Sequence, residues 1–143
     1  MTTAEQLTQV FNDNFVAYYR SHLAHVNITG RNFASDHKLL EGIYEDLQSQ
    51  IDVLAELLRT IDEIMPCEIQ DVSNRSQIPT TELYGDSLEL ISAVRDDLES
   101  LKDAYIELME VAEKEDAEQI ANYAQDRILK LAKHIWMLSA TLN

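Results

Sequence analysis

One cysteine, two prolines and three glycines are all that this 143-residue chain holds of the residues that staple or turn a backbone. A lone Cys67 excludes an internal disulfide and any cysteine-rich zinc motif, so the chain reads as intracellular. So few turn formers exclude a fold of many short elements and call for long ones. Long apolar runs are also missing: no stretch reaches the roughly 18 apolar residues of a membrane helix. The opening MTTAEQLTQVFNDNF has no basic stretch followed by an apolar core, so no secretory leader is expected and the location expected is the cytoplasm. Positive charge is scarce, with 11 Lys and Arg against 26 Asp and Glu and a formal charge of -15. Such a surface repels phosphate backbones and attracts cations, so metal ions are expected partners and nucleic acids and membranes are not.

What the chain does have is helical periodicity. Its length suits one domain, residues 1–143. Four segments carry apolar residues at steps of three and four. The first runs from Ala4 to about Asn27 through Leu7, Phe11, Phe15 and Tyr18, with His22 and His25 continuing the stripe. The second, about Phe33 to Met65, is the most regular: Leu40, Ile43, Leu47, Ile51, Leu54, Leu58, Ile61 and Met65 form a bundle seam. The third spans about Thr81 to Ala112, and the fourth starts near Asp116. NITGRN and EKED are short joints that fold each pair of helices into a hairpin, the first with Gly30 free to turn left-handed. PCEIQDVSNRSQIP is a long connection that runs back along the bundle, with room for a short helix around Glu68 to Asn74. The expected fold is all-α: a four-helix bundle, up, down, long crossover, up, down, which is the ferritin-like topology.

Chemistry concentrates on the second helix. His37, Glu41, Asp52 and Glu56 fall within about 100° of arc on one face. They do not meet along the axis, because His37 and Asp52 are roughly 22 Å apart at 1.5 Å per residue. One chain cannot close a site from both ends of this helix, but two chains can. If the helix packs antiparallel on its own copy about a two-fold axis, His37 of one chain comes level with Asp52 of the other, and the arrangement occurs twice. The hairpin at Gly30 brings His25 opposite His37. Each site would hold His25, His37 and Glu41 from one subunit and Asp52 and Glu56 from its partner. Mixed imidazole and carboxylate ligands suit Fe(II), Zn(II) or Mn(II), so zinc or manganese can compete with iron. An intrachain di-iron site needs Glu-x-x-His on two helices, and none of the four histidines has Glu three positions before it.

The stretch HVNITGRNFASDHKLLEGIYEDLQSQIDVLAE resembles the signature of the Dps-type miniferritins, a His-Trp-Asn-x-x-Gly-x-x-Phe run followed by His, an acidic residue four later and Asp-x-x-x-Glu. His25, Asn27, Gly30, Phe33, His37, Glu41, Asp52 and Glu56 fall in step, and the terminal DRILKLAKHIWMLSATL is similar to the family's last helix. The resemblance implies a hollow dodecamer with ferroxidase centres at its two-fold interfaces, each taking two iron ions. It implies oxidation of Fe(II) by hydrogen peroxide or dioxygen and storage of ferric oxyhydroxide in the cavity. The departures are Val26 for the family's Trp, Glu41 for its Asp and Leu57 for its Arg. The family's Lys-rich tail is missing as well, so direct DNA binding is not expected. Glu118, Asn122 and Asp126 lie on one face of the last helix and, repeated about a three-fold axis, would line an acidic iron inlet; a plain solvated face is the alternative. His22 and His134 are expected to be structural, Tyr44 and Trp136 to pack, and Cys67 to be a small buried or loop residue. Two rival functions stay open: a cage without rapid oxidation, and a DNA-compacting protein.

Overall fold

Two of the four long helices begin where their own side chains satisfy the first amides. The computed structural model, which describes residues 1–143, has five helices: α1 (Thr3–Asn27), α2 (Phe33–Thr60), α3 (Ile69–Arg75), α4 (Ser87–Lys114) and α5 (Glu118–Leu142). Thr2 and Glu5 close a capping box on α1, and Asp86 and Glu89 close one on α4. The second box explains why α4 starts six residues later than the expected Thr81. Gly85, immediately before it, has φ +147°, a conformation that no helix continues through. A Cβ at Gly85 would stand 3.0 Å from the Cβ and Cδ of the capping Glu89. We expect Gly85→Ala to cost about 1–3 kcal/mol, through backbone strain and the displaced cap; the midpoint of guanidinium unfolding measures it.

The second helix stops at Thr60 rather than Met65. Asp62 takes φ 64°, and the amide of Glu63 bonds back to the carbonyl of Leu58 at 3.0 Å, which satisfies the helix end in a Schellman pattern. Asp116, at φ 58°, repeats this after α4, where the amide of Ala117 bonds the carbonyl of Ala112 at 2.8 Å. Aspartate tolerates the left-handed region better than most side chains, which is why these ends form without glycine. Ile61 is therefore a half-buried cap residue, and Met65 is exposed.

Leu40, Ile43, Leu47, Leu54 and Leu58 of the expected seam are fully buried, each contributing on the order of 1.5–3 kcal/mol. They join one core of 29 buried hydrophobic residues drawn from all five helices and the crossover. The first two helices form an antiparallel hairpin, as do the last two. The second hairpin runs opposite to the expected order, however. The start of α1 meets the end of α4, where Thr3 bonds Glu115, and Arg20 late in α1 pairs with Asp97 early in α4. The order is up, down, crossover, down, up, since a crossover that returns the full length delivers the chain to the end from which α2 set out.

That crossover is strapped to α1. The Gln9 side chain donates to the carbonyl of Arg75 at 2.8 Å. Asp13 accepts from the Gln77 amide at 2.7 Å, from Gln9 at 3.0 Å and from Ser76 at 3.2 Å. Burial still pushes the Asp13 carboxyl up, against those bonds. Val72 of α3 and Ile78 are buried beneath the strap. Arg20, near the far end, is bound to Asp97 at 2.6 Å. Burial outweighs the guanidinium and pushes the Asp97 carboxyl up to about 6.

Candidate metal centre

The hairpin at Gly30, where φ is +118°, sets the end of α1 against the start of α2. His25 and His37 meet there with rings 3.7 Å apart and 16° from parallel. Their bonding is reciprocal. Nδ1 of His25 donates to the carbonyl of His37 at 2.7 Å, and Nδ1 of His37 donates to the carbonyl of His25 at 2.7 Å. A carbonyl only accepts, so both Nδ1 atoms carry hydrogen and each Nε2 is left without a partner in the chain. This is the usual preparation of a metal-binding imidazole, with one nitrogen fixed to a backbone oxygen and the other free.

Aromatic rings extend the stack on both sides. Phe33 covers His37 at 4.9 Å, Tyr44 lies 4.9 Å from His25, and His22 stacks on Tyr44 at 3.9 Å and 5°. His22 Nδ1 is tied to the Tyr18 hydroxyl at 2.9 Å. Tyr44 and His22 are thus packing residues, as expected, but they pack on the metal-site candidates rather than into the general core. The sequence places His22 on the stripe of His25; the clue for Tyr44 was its position seven residues after His37, on the same side of α2.

Glu41 lies one turn beyond His37. Lys38 holds it at 2.8 Å, and Lys38 first, then His25 and His37, draw its carboxyl below the usual range. The carboxylate is therefore ionised, with the Lys38 ammonium as its partner. Asp52 and Glu56 are exposed farther along α2, and neither makes a hydrogen bond or an ion pair. No cluster of three metal-binding side chains forms within the single chain. The chain itself brings together His25 and His37, places Glu41 near them, and leaves Asp52 and Glu56 apart. Val26, beside His25, is 61% exposed, so this chain puts only an isopropyl group where an indole could cover the site. Glu118, Asn122 and Asp126 are exposed on α5.

A second polar cluster was missed by the sequence reading. Arg127 grips Asp46 with both terminal nitrogens, at 2.9 and 2.8 Å, and His134 Nε2 reaches the same carboxylate at 3.0 Å. Burial raises the Asp46 carboxyl, but the His134 and Arg127 bonds and the Arg127 charge outweigh it and hold the carboxyl well below its ordinary range. The signal was present: Arg127 and His134 occupy seam positions in the stripe Ile120, Ala124, Leu131, Leu138, where an apolar residue is due. His134 is structural, as expected. Trp136 is 65% exposed, so within one chain it does not pack as expected, and Cys67 is an exposed loop residue.

Comparison with known proteins matches residues 4–143 to a ferritin-like domain. A Helicobacter pylori protein called DNA protection during starvation protein is 30% identical over 143 residues, covering 99% of both chains. The solved structure of Helicobacter cinaedi CAIP aligns over 99% of this chain and 100% of its own, at TM-score 0.91 and 29% identity. A Dps protein from Vibrio cholerae, described as a member of a broad superfamily of ferritin-like diiron-carboxylate proteins, aligns at TM-score 0.93 and 27% identity, over 99% and 89% of the two chains.

Proposed function

This chain belongs to the Dps-type miniferritins of the ferritin-like family, and we propose that it oxidises Fe(II) at sites shared between two subunits and stores the ferric product inside a hollow oligomer. The observation that carries the reading is the His25 and His37 pair, two imidazoles locked by each other's backbone with both Nε2 atoms free, next to an ionised Glu41. The exposed Asp52 and Glu56 of a second copy complete the donor set about a two-fold axis. Three carboxylates neutralise much of the charge of two iron ions and favour Fe(III) over Fe(II), while the neutral imidazoles bind without adding charge. Two Fe(II) ions each give one electron to a hydrogen peroxide molecule, whose O–O bond breaks to leave two hydroxides. Hydrolysis of the Fe(III) ions then yields ferric oxyhydroxide and releases protons. Dioxygen is the alternative oxidant.

Protection follows from this chemistry, because Fe(II) and peroxide are consumed together before they can form hydroxyl radical. A surface of charge -15 per chain does not coat DNA. The closed assembly is a dodecamer, with Glu118, Asn122 and Asp126 lining the iron inlet on its three-fold axes. The test is anaerobic Fe(II) titration followed by peroxide, on wild type and on Asp52→Ala/Glu56→Ala. Saturable binding and rapid oxidation in wild type are expected, with at least about 100-fold slower oxidation in the double variant. Equal rates in the two proteins would remove these carboxylates from the reaction.

A further inference from the structure

Asp46 stands apart from the ligand candidates on its own helix. With His37 as origin and about 100° per residue, the four ligand candidates of α2 cover about 0–100°, its buried leucines lie near 260–300°, and Asp46 and Gln50 fall at about 180° and 220°. Tyr44 falls at about 340°, on the flank where it meets His22 and His25 of α1. The second helix is therefore gripped on two opposite flanks. On one side are the reciprocal histidine bonds and the Tyr44 stack; on the other are Asp46 and Gln50.

The second grip is made entirely by side chains. Close backbone packing in this bundle lies in the α4/α5, α1/α2 and α1/α4 seams. Between α2 and α5 the hydrogen bonds are those from Arg127 and His134 to Asp46, and the 2.6 Å bond from the Tyr123 hydroxyl to Gln50. The Tyr105 hydroxyl of α4, 3.3 Å from that of Tyr123, backs the row. Bidentate Arg and carboxylate geometry fixes orientation as well as distance. Ligand atoms sit about 6 Å from the helix axis, so a turn of about 10° in α2 moves them by about 1 Å. Metal-ligand distances tolerate about 0.2 Å.

We propose that Asp46 is a positioning residue for iron oxidation: held by Arg127 and His134, it fixes the rotation of α2 and so the aim of the ligands that α2 presents to both shared sites. The inference rests on the functional reading above and specifies how the fold serves it. Since each α2 contributes to two sites, one loosened helix misaims both.

The assembled proteins to compare are wild type, Asp46→Asn and Tyr123→Phe. Three readouts are needed: oligomer mass, kcat and KM for peroxide-driven Fe(II) oxidation, and the visible absorption of anaerobically bound Co(II), which reports ligand geometry. Asp46→Asn is expected to keep the oligomer, lower kcat by about 10- to 100-fold with a smaller change in KM, and alter the Co(II) bands. Tyr123→Phe, which loses only one hydroxyl, is expected to lower kcat about 3-fold. A reduced melting temperature with wild-type kcat and Co(II) bands would make Asp46 merely structural and overturn the proposal. If Asp46→Asn does not assemble, Tyr123→Phe decides, and wild-type kcat there overturns the proposal equally. Slow, unsaturable oxidation by wild type would instead overturn the functional reading, and the Co(II) bands would still judge the aim of the ligands. Absence of Co(II) binding by wild type would overturn both.

Discussion

Two inactive variants, co-expressed at equal levels, assemble into cages with about one quarter of wild-type ferroxidase activity. This is the expected result for His25→Ala/His37→Ala together with Asp52→Ala/Glu56→Ala, each of which alone loses at least about 100-fold. The arithmetic follows from two-fold symmetry. A dimer of one chain of each kind has one site that has lost every altered ligand and one site that has lost none. Half of its sites work, and about half of randomly paired dimers are mixed, which gives about one quarter overall. Mass spectrometry of the cages verifies the mixing, and cages combined only after assembly serve as the control. Mixed cages without recovered activity would show that each chain carries its own site, because intrachain sites cannot complement.

The largest loss of stability is expected from Arg20→Met, which strands the buried carboxylate of Asp97. Removing one partner of a buried pair costs about 3–5 kcal/mol. The cost should depend on pH in a defined direction. Burial already pushes Asp97 up to about 6 from an ordinary 3.8, so in wild type its contribution to stability is fully present below 3.8 and is lost as pH rises through about 6. Without Arg20 the main influence lowering that carboxyl is gone, and its folded-state proton is held to higher pH still. The difference between variant and wild type should therefore be larger near pH 8 than near pH 5. Guanidinium unfolding at those two pH values measures it, and Arg20→Met/Asp97→Leu should recover most of the loss. A pH-independent difference would mean that packing by the Arg20 stem, rather than charge, carries the effect.

Helix positions were legible because each seam repeats at three and four over many turns, so the core leucines of α2 identify themselves. Helix ends were less legible. Ile61 and Met65 keep the period of α2, and only the left-handed Asp62 and the backbone bond to Leu58 say that the helix has already stopped. The direction of the second hairpin depends on the length that the crossover spans in space, which periodicity does not encode. His25 and His37 could be brought together from the hairpin alone. Their mutual backbone bonds could not, since side-chain rotation at a helix end depends on the neighbouring Phe33 and Tyr44 rings. The Asp46 cluster was hidden for a different reason: Asp46 lies more than eighty residues from Arg127 and His134, and the seam positions those two occupy do not say which carboxylate they meet.

The exchange of backbone bonds between His25 and His37 also bears on how this chain can change over generations. Losing either imidazole removes one of the two cross-bonds, the ring stacked on the one that remains and one of the two free Nε2 atoms, so the first substitution does most of the harm and the second adds little. Selection then meets the two positions as a single inherited unit. A lineage that abandons metal chemistry should lose both histidines in quick succession, and one that keeps the chemistry has no neutral intermediate through which to exchange them one at a time.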